Sequence, residues 1–231
     1  MVDGSSTTVM KGKLIIIDGT DGSGKTTQTN MLYQRLYKED LSVRKFKFPD
    51  YDSDSSALVK MYLAGELGAA CEVNPYAAAA FYAVDRYASF KTKWGDFYLS
   101  GGVIIADRYT TSNMIHQTGK FNEEREKESF LMWLEDFEFQ LFELPRPDGV
   151  IFLDMPPGIS TDLLEKRQKE TGICLDVHEK DPRHYNEAYV TACEIACRYG
   201  WHRVRCTEKD RVREINEIHD EIYHIVKKIL D

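Results

Sequence analysis

Lys13-Leu14-Ile15-Ile16-Ile17-Asp18-Gly19-Thr20-Asp21-Gly22-Ser23-Gly24-Lys25-Thr26 is the stretch that decides the fold. An apolar run, Leu14–Ile17, feeds straight into the spacing G-x-x-x-x-G-K-[ST] from Gly19 to Thr26. A helical pattern follows, with Leu32 and Leu36 one turn apart. In that setting the glycines let backbone N–H groups turn inward around an anion at the start of the helix. A glycine-rich strand-to-helix turn with no ligand is the plainer alternative, but strand, motif and helix stand in register. Lys25 carries positive charge to the β- and γ-phosphates, and the Thr26 hydroxyl is placed to ligate Mg²⁺. The segment implies a nucleoside triphosphate bound on a P-loop.

Outward from this loop, apolar runs alternate with helical patterns. Strands are expected at Lys13–Asp18, Ser42–Phe46, Val103–Asp107, Gly149–Asp154 and His202–Cys206. Helices are expected at about 25–38, 55–64, 75–98, 123–142, 157–169, 183–199 and 211–230. The last has the clearest period, with Val212, Ile215, Ile218, Ile222, Ile225 and Ile229 three or four apart. Strands separated by helices predict an α/β fold, a P-loop NTPase architecture in which a central parallel five-stranded sheet is flanked by helices. Ligands of such sheets lie at the carboxyl ends of the strands. Residues 1–9 are small and polar and read as a disordered tail, with Met10 a candidate start and 10–231 a single domain. The polar, irregular segment at about 168–182 reads as a surface loop and a candidate lid.

The composition narrows the function classes. The 231 residues are 42% hydrophobic and 29% charged, ordinary for a soluble globular chain. A net charge of −8 argues against bulk attraction to nucleic acid. No apolar run reaches the length of a membrane span, and the N-terminus lacks the pattern of a signal peptide. Five cysteines, an odd number, fit a reduced cytoplasmic protein. Cys174, His178 and His184 match no zinc spacing and read as polar loop residues. Cys193 and Cys197 read as small core residues. His219 and His224 carry no signal.

Two further segments carry chemistry. Asp107-Arg108-Tyr109-Thr110-Thr111-Ser112 follows the third strand. There Arg108 can clamp phosphate oxygens bidentately, and Asp107 can hold Mg²⁺ directly or through water. An Asp–Arg pair closing the sheet edge is the structural alternative. Within the 75–98 helix, Tyr82 and Arg86 are four apart and share a face, so they can stack on a nucleobase and hydrogen-bond its edge. A buried tyrosine beside a surface arginine is the plainer reading. His116 can contact base or sugar or act as a structural hydrogen-bonder.

Taken in order, these pieces resemble the thymidylate kinase family from about residue 11 onward. The P-loop has an acidic residue, Asp21, at its third position, and Phe48-Pro49 follows the second strand. Tyr82-Ala83-Val84-Asp85-Arg86 is similar to the family's base-binding helix. Asp107-Arg108-Tyr109-x-x-Ser112 matches its signature, closed by Gln117. The resemblance implies transfer of the γ-phosphate of ATP to a deoxypyrimidine nucleoside monophosphate, most readily dTMP, with ATP and Mg²⁺ as cofactors. It implies ATP contacts from Gly19, Thr20, Asp21, Gly22, Ser23, Gly24, Lys25, Thr26, Thr27 and Arg167. Acceptor contacts are implied for Asp21, Phe48, Tyr82, Arg86, Arg108, Ser112, His116 and Gln117, and metal contacts for Thr26 and Asp107. In this scheme Asp21 accepts a hydrogen bond from the sugar 3′-hydroxyl, Tyr82 stacks on the pyrimidine and Arg86 reads its exocyclic oxygen. Arg108 bridges the two substrates' phosphates. Lys25, Arg108, Asp21 and Arg167 form the catalytic set, and Arg167 with the lid closes over ATP. No general base is required, because the acceptor phosphate is already anionic. A homodimer packed through helices is implied as well.

The chain departs from the family at three places. Ile115-His116 precede Gln117 where a small residue and an aromatic are usual. Tyr51, after Asp50, stands where some relatives place Arg, which passes the acceptor phosphate to Lys47 or Arg86. Asp176-Val177-His178-Glu179 lacks the lid arginine of one branch. The alternatives are a kinase of another nucleoside monophosphate, a deoxynucleoside kinase with Asp50 as base, or a non-catalytic nucleotide binder. A GTPase switch would carry Asn-Lys-x-Asp, and this chain has none.

Overall fold

A computed structural model describes residues 11–161, 182–208 and 211–231. The tail, Arg167 and nearly all of the 168–182 lid candidate therefore lie outside the described residues. Five parallel strands form the sheet: β1 (Lys13–Asp18), β2 (Val43–Lys47), β3 (Val103–Asp107), β4 (Gly149–Asp154) and β5 (His202–Arg205). Their order is β2-β3-β1-β4-β5, so the P-loop strand is central. Register sets Ile17 beside Asp107 and Asp18 beside Phe152. The ends of β1, β3 and β4 thus present three carboxylates, Asp18, Asp107 and Asp154, along one edge of the sheet.

Both faces of the sheet are covered, which is why β1 reads as an unbroken apolar run rather than an alternating one. Ile15 and Ile17 point to one side. They pack with Leu32 and Leu36 of α1 (Lys25–Lys38) and with Ile218, Ile222 and Val226 of the C-terminal helix. Leu14 and Ile16 point to the other, against Phe90, Trp94, Tyr98 and Tyr109. Further helices are α2 (Ala57–Leu63), α3 (Pro75–Ser89), α4 (Gly95–Leu99), α5 (Thr110–His116), α6 (Glu124–Glu135), α7 (Pro182–Arg198) and α8 (Ile215–Leu230). Residues 157–161 are helical too, and the rest of the expected 157–169 helix lies outside the described residues.

Several expected elements change in extent. The 75–98 helix is α3 and α4 joined by a π-helical turn, Phe90–Trp94. The 123–142 helix ends at Glu135 and continues as a second π-helical turn, Asp136–Leu141. The C-terminal helix starts at Ile215 rather than 211. Arg211–Val212 instead pairs antiparallel with Thr207–Glu208, and Glu214 (φ −60°, ψ 139°) is extended, so the helix cannot run further back. Val212 shares the apolar spacing of α8 without belonging to it. Helix α5 is absent from the expected elements because Thr110-Thr111-Ser112-Asn113 carries no apolar period.

Candidate active site

Gly19, Gly22 and Gly24 hold positive φ angles of 155°, 78° and 88°, which wind the loop between β1 and α1. The loop also passes close to its neighbours. A Cβ on Gly19 would lie 2.8 Å from the Leu153 carbonyl oxygen and 2.8 Å from Ser23 Oγ. Lys25 folds back inside, its Nζ donating to the carbonyls of Gly19 (3.0 Å) and Thr20 (2.7 Å), with Asp21 Oδ1 at 3.9 Å. Burial lowers its pKa to about 8, and the nearby Arg108 adds to the effect against the pull of Asp21, Asp107 and Asp18.

The second segment reaches the loop from β3. Arg108 sits in the left-handed region at φ 70°, and its N–H donates to Ile17 O at 3.1 Å. Its side chain turns toward the P-loop. Nη2 donates to Asp21 Oδ1, Nη1 donates to Ser112 Oγ at 3.2 Å, and Asp18 Oδ1 lies 3.8 Å away. Burial disfavours the Arg108 charge, but Asp21, Asp18 and Asp107 outweigh it and raise its pKa above the ordinary arginine value. His116 Nε2 stands 3.4 Å from Arg108 Nη1. Thr26 Oγ1 donates to Asp107 Oδ2 at 2.6 Å, so the two expected metal ligands are already adjacent. Their oxygen chemistry, one hydroxyl and one carboxylate, fits Mg²⁺.

Asp18 was not among the expected site residues, yet it ties the two segments together. It is wholly buried, accepts the Gly19 N–H at 2.8 Å, and accepts from the hydroxyls of Thr111 and Ser112, the latter at 2.9 Å. Its only sequence signal is a carboxylate ending an otherwise apolar strand. Ser112, expected on the acceptor, is thus engaged with Asp18 and Arg108.

The acceptor-side residues divide. Tyr82 is half-buried and stands edge-on to Tyr62, ring centroids 6.3 Å apart. Lys120 Nζ donates to Tyr62 Oη at 2.9 Å, and burial lowers its pKa to about 8. This cation beside the aromatic pair has no signature in the sequence. Phe48 is buried with its ring 5.9 Å from Tyr109, so it walls the aromatic core. Gln117 is buried too, with Oε1 unpartnered among the described residues. Arg86 is only 2% exposed and forms a two-pronged ion pair with Glu138, which corrects the picture of a surface arginine. The pairing engages Nε and Nη2 of Arg86. Asp50 is paired with Lys93.

The family model for thymidylate kinase matches residues 17–221, a span that runs through the P-loop and the Asp107–Arg108 turn and into the first half of α8. The chain belongs to the thymidylate kinase family. Curated family members include the thymidylate kinase of Mycobacterium tuberculosis, 29% identical over 192 residues that cover 81% of this chain and 87% of that one. The Plasmodium falciparum enzyme is 24% identical over 219 residues, covering 95% and 91%. That of Bifidobacterium longum is 30% identical over 157 residues, covering 68% and 73%. The solved structure of thymidylate kinase from Candida albicans has the same fold. Its TM-score is 0.71 at 22% identity, with 96% of this chain and 94% of that one covered. As a thymidylate kinase family member this chain is a phosphotransferase that uses ATP as donor. No helix among the described residues is long and apolar enough to cross a membrane.

Proposed function

We propose that this chain transfers the γ-phosphate of ATP to dTMP, giving dTDP and ADP. The observation that carries the proposal is the meeting of Lys25 from the P-loop and Arg108 from the end of β3 at one carboxylate, Asp21. Two cations from two segments thereby face the same small volume, which is where donor and acceptor phosphates must meet. Thr26 and Asp107 are the residues that would hold Mg²⁺, which when bound neutralises charge on the donor phosphates.

The chain's own groups account for the remaining work. Lys25 sits at the triphosphate end of the loop, and an anion there favours the charged form that burial disfavours. Arg108 bridges the entering acceptor phosphate and the donor, stabilising charge as it moves between them. Asp21 accepts from the sugar hydroxyl and sets the acceptor's distance. Tyr82 offers a face for the base. The acceptor phosphate is its own nucleophile, so positioning replaces proton abstraction. The deoxynucleoside kinase alternative loses ground because Asp50, its candidate base, is neutralised by Lys93.

We place the protein in the cytoplasm, consistent with free Cys71, Cys193, Cys197 and Cys206. We also propose that it forms a homodimer through α3, where Val84 and Tyr87 are 43% and 38% exposed on the same side as Ala77 and Ala80. The test of function is a coupled ADP-release assay with ATP, Mg²⁺ and dTMP, dUMP, dCMP or thymidine in turn. Preference for dTMP supports the assignment. Preference for thymidine would overturn it in favour of a nucleoside kinase.

A further inference from the structure

Glu138 occupies the π-helical turn Asp136–Leu141 and is wholly buried. Its Oε2 accepts from Arg86 Nε at 2.7 Å and from Thr110 Oγ1 at 3.1 Å. Its Oε1 accepts from Arg86 Nη2 at 2.5 Å and from Asn113 Nδ2 at 3.2 Å. One carboxylate thus joins α3, which carries Tyr82 and Arg86, to α5, which begins two residues after Arg108. The Asn113 amide completes the tie by donating to Ala79 O of α3 at 3.1 Å.

Stability alone is a poor reason for such a pair, because apolar residues of similar volume in its place are often as stable or more so. The geometry supplies another reason. Pairing through Nε and Nη2 fixes the guanidinium plane and its rotation. Among the described residues the third nitrogen, Nη1, makes only a long contact of 3.4 Å to Tyr109 O, so the Nη1 edge keeps donor capacity. The π-helical turn that follows α6 shapes the stretch of chain that carries Glu138.

We propose that Glu138 is a positioning residue for base selection: it holds Arg86 so that the Nη1 edge donates to the exocyclic oxygen of the pyrimidine against Tyr82. Thymine presents an acceptor oxygen at its 4-position, whereas cytosine presents an amino donor there, so an oriented N–H discriminates between them. The proposal rests on the assignment of Tyr82 and Arg86 as base contacts, and the experiment separates the two.

Steady-state kinetics are measured with dTMP and dCMP on wild type, Glu138→Gln and Arg86→Lys, each checked for folding by thermal melting. Glu138→Gln preserves volume but sets an amide N–H against the arginine. The expected result is a rise of roughly tenfold or more in KM for dTMP, the scale of one charge-assisted hydrogen bond. The preference for dTMP over dCMP should shrink by a similar factor, while KM for ATP stays within about twofold. Arg86→Lys keeps the buried charge and removes the planar edge, so it should erase the preference more completely. If Arg86→Lys leaves the preference intact, Arg86 does not read the base, and the assignment falls together with the proposal. If Arg86→Lys erases the preference but folded Glu138→Gln keeps it, Glu138 is purely structural and the proposal alone is overturned. Should Glu138→Gln fail to fold, Thr110→Val removes one bond to the same carboxylate. It should narrow the preference in the same direction without moving KM for ATP, and an unchanged preference overturns the proposal.

Discussion

Lys25 is held in a site that disfavours its charge until a ligand arrives. Burial and Arg108 bring its pKa to about 8, so a rise in pH through 8 deprotonates it in the free protein. Triphosphate binding favours the charged form. ATP affinity measured by titration should therefore fall above pH 8, by up to about tenfold per pH unit, and hold steady between pH 6.5 and 7.5. A flat affinity from pH 7 to 9.5 would mean that Lys25 does not meet the phosphates. Lys25→Ala should lower kcat/KM by roughly 10²–10³-fold, the scale seen when one preorganised charge-stabilising donor is lost. Asp21→Ala should cost turnover with dTMP while leaving ATP affinity within about threefold. An equal loss of both would move Asp21 out of the acceptor site. Gly19→Ala tests the loop's backbone. Its Cβ would press on the Leu153 carbonyl and Ser23, and destabilisation of about 1–3 kcal/mol is expected by denaturant unfolding.

The elements set where these residues stand. Helix α1 buries Leu32 and Leu36 against the sheet and so fixes the P-loop's exit. Leu32→Ala should cost about 2–5 kcal/mol of stability, with KM values unchanged in the folded fraction. The inner strands and α1 were legible because those strands stand as short apolar runs, α1 carries a helical period, and the P-loop spacing locks β1 to α1. What escaped was of two kinds. The π-helical turns keep a helical hydrophobic pattern while inserting a residue, so Phe90–Trp94 and Asp136–Leu141 look like ordinary helix. Asp18, Glu138 and Lys120 act through partners 93, 52 and 58 residues away along the chain, and no local spacing announces them. Arg86 was legible as a candidate base contact from its place four residues after Tyr82. Its burial was not, because its counter-ion comes from a distant turn.

At the scale of the molecule, the sheet order gathers the site. With β1 between β3 and β4, the P-loop, the Asp107–Arg108 turn and Asp154 open on one edge, and helices cover both faces behind them. Asp154 is engaged on the far side, accepting from Tyr189 Oη of α7 at 2.8 Å and from Arg203 Nε at 2.9 Å, which anchors α7 to that edge. The exposed apolar side of α3 belongs to the same scale. Light scattering should give twice the chain mass for wild type and the chain mass for Val84→Asp, whereas a monomeric wild type would exclude the α3 dimer. The reaction itself is read by phosphorus NMR of the protein with ATP, Mg²⁺ and dTMP. The expected spectrum shows the α- and β-phosphorus signals of dTDP growing one for one with ADP. ADP accompanied by inorganic phosphate instead of dTDP, or no change in ATP, would contradict it.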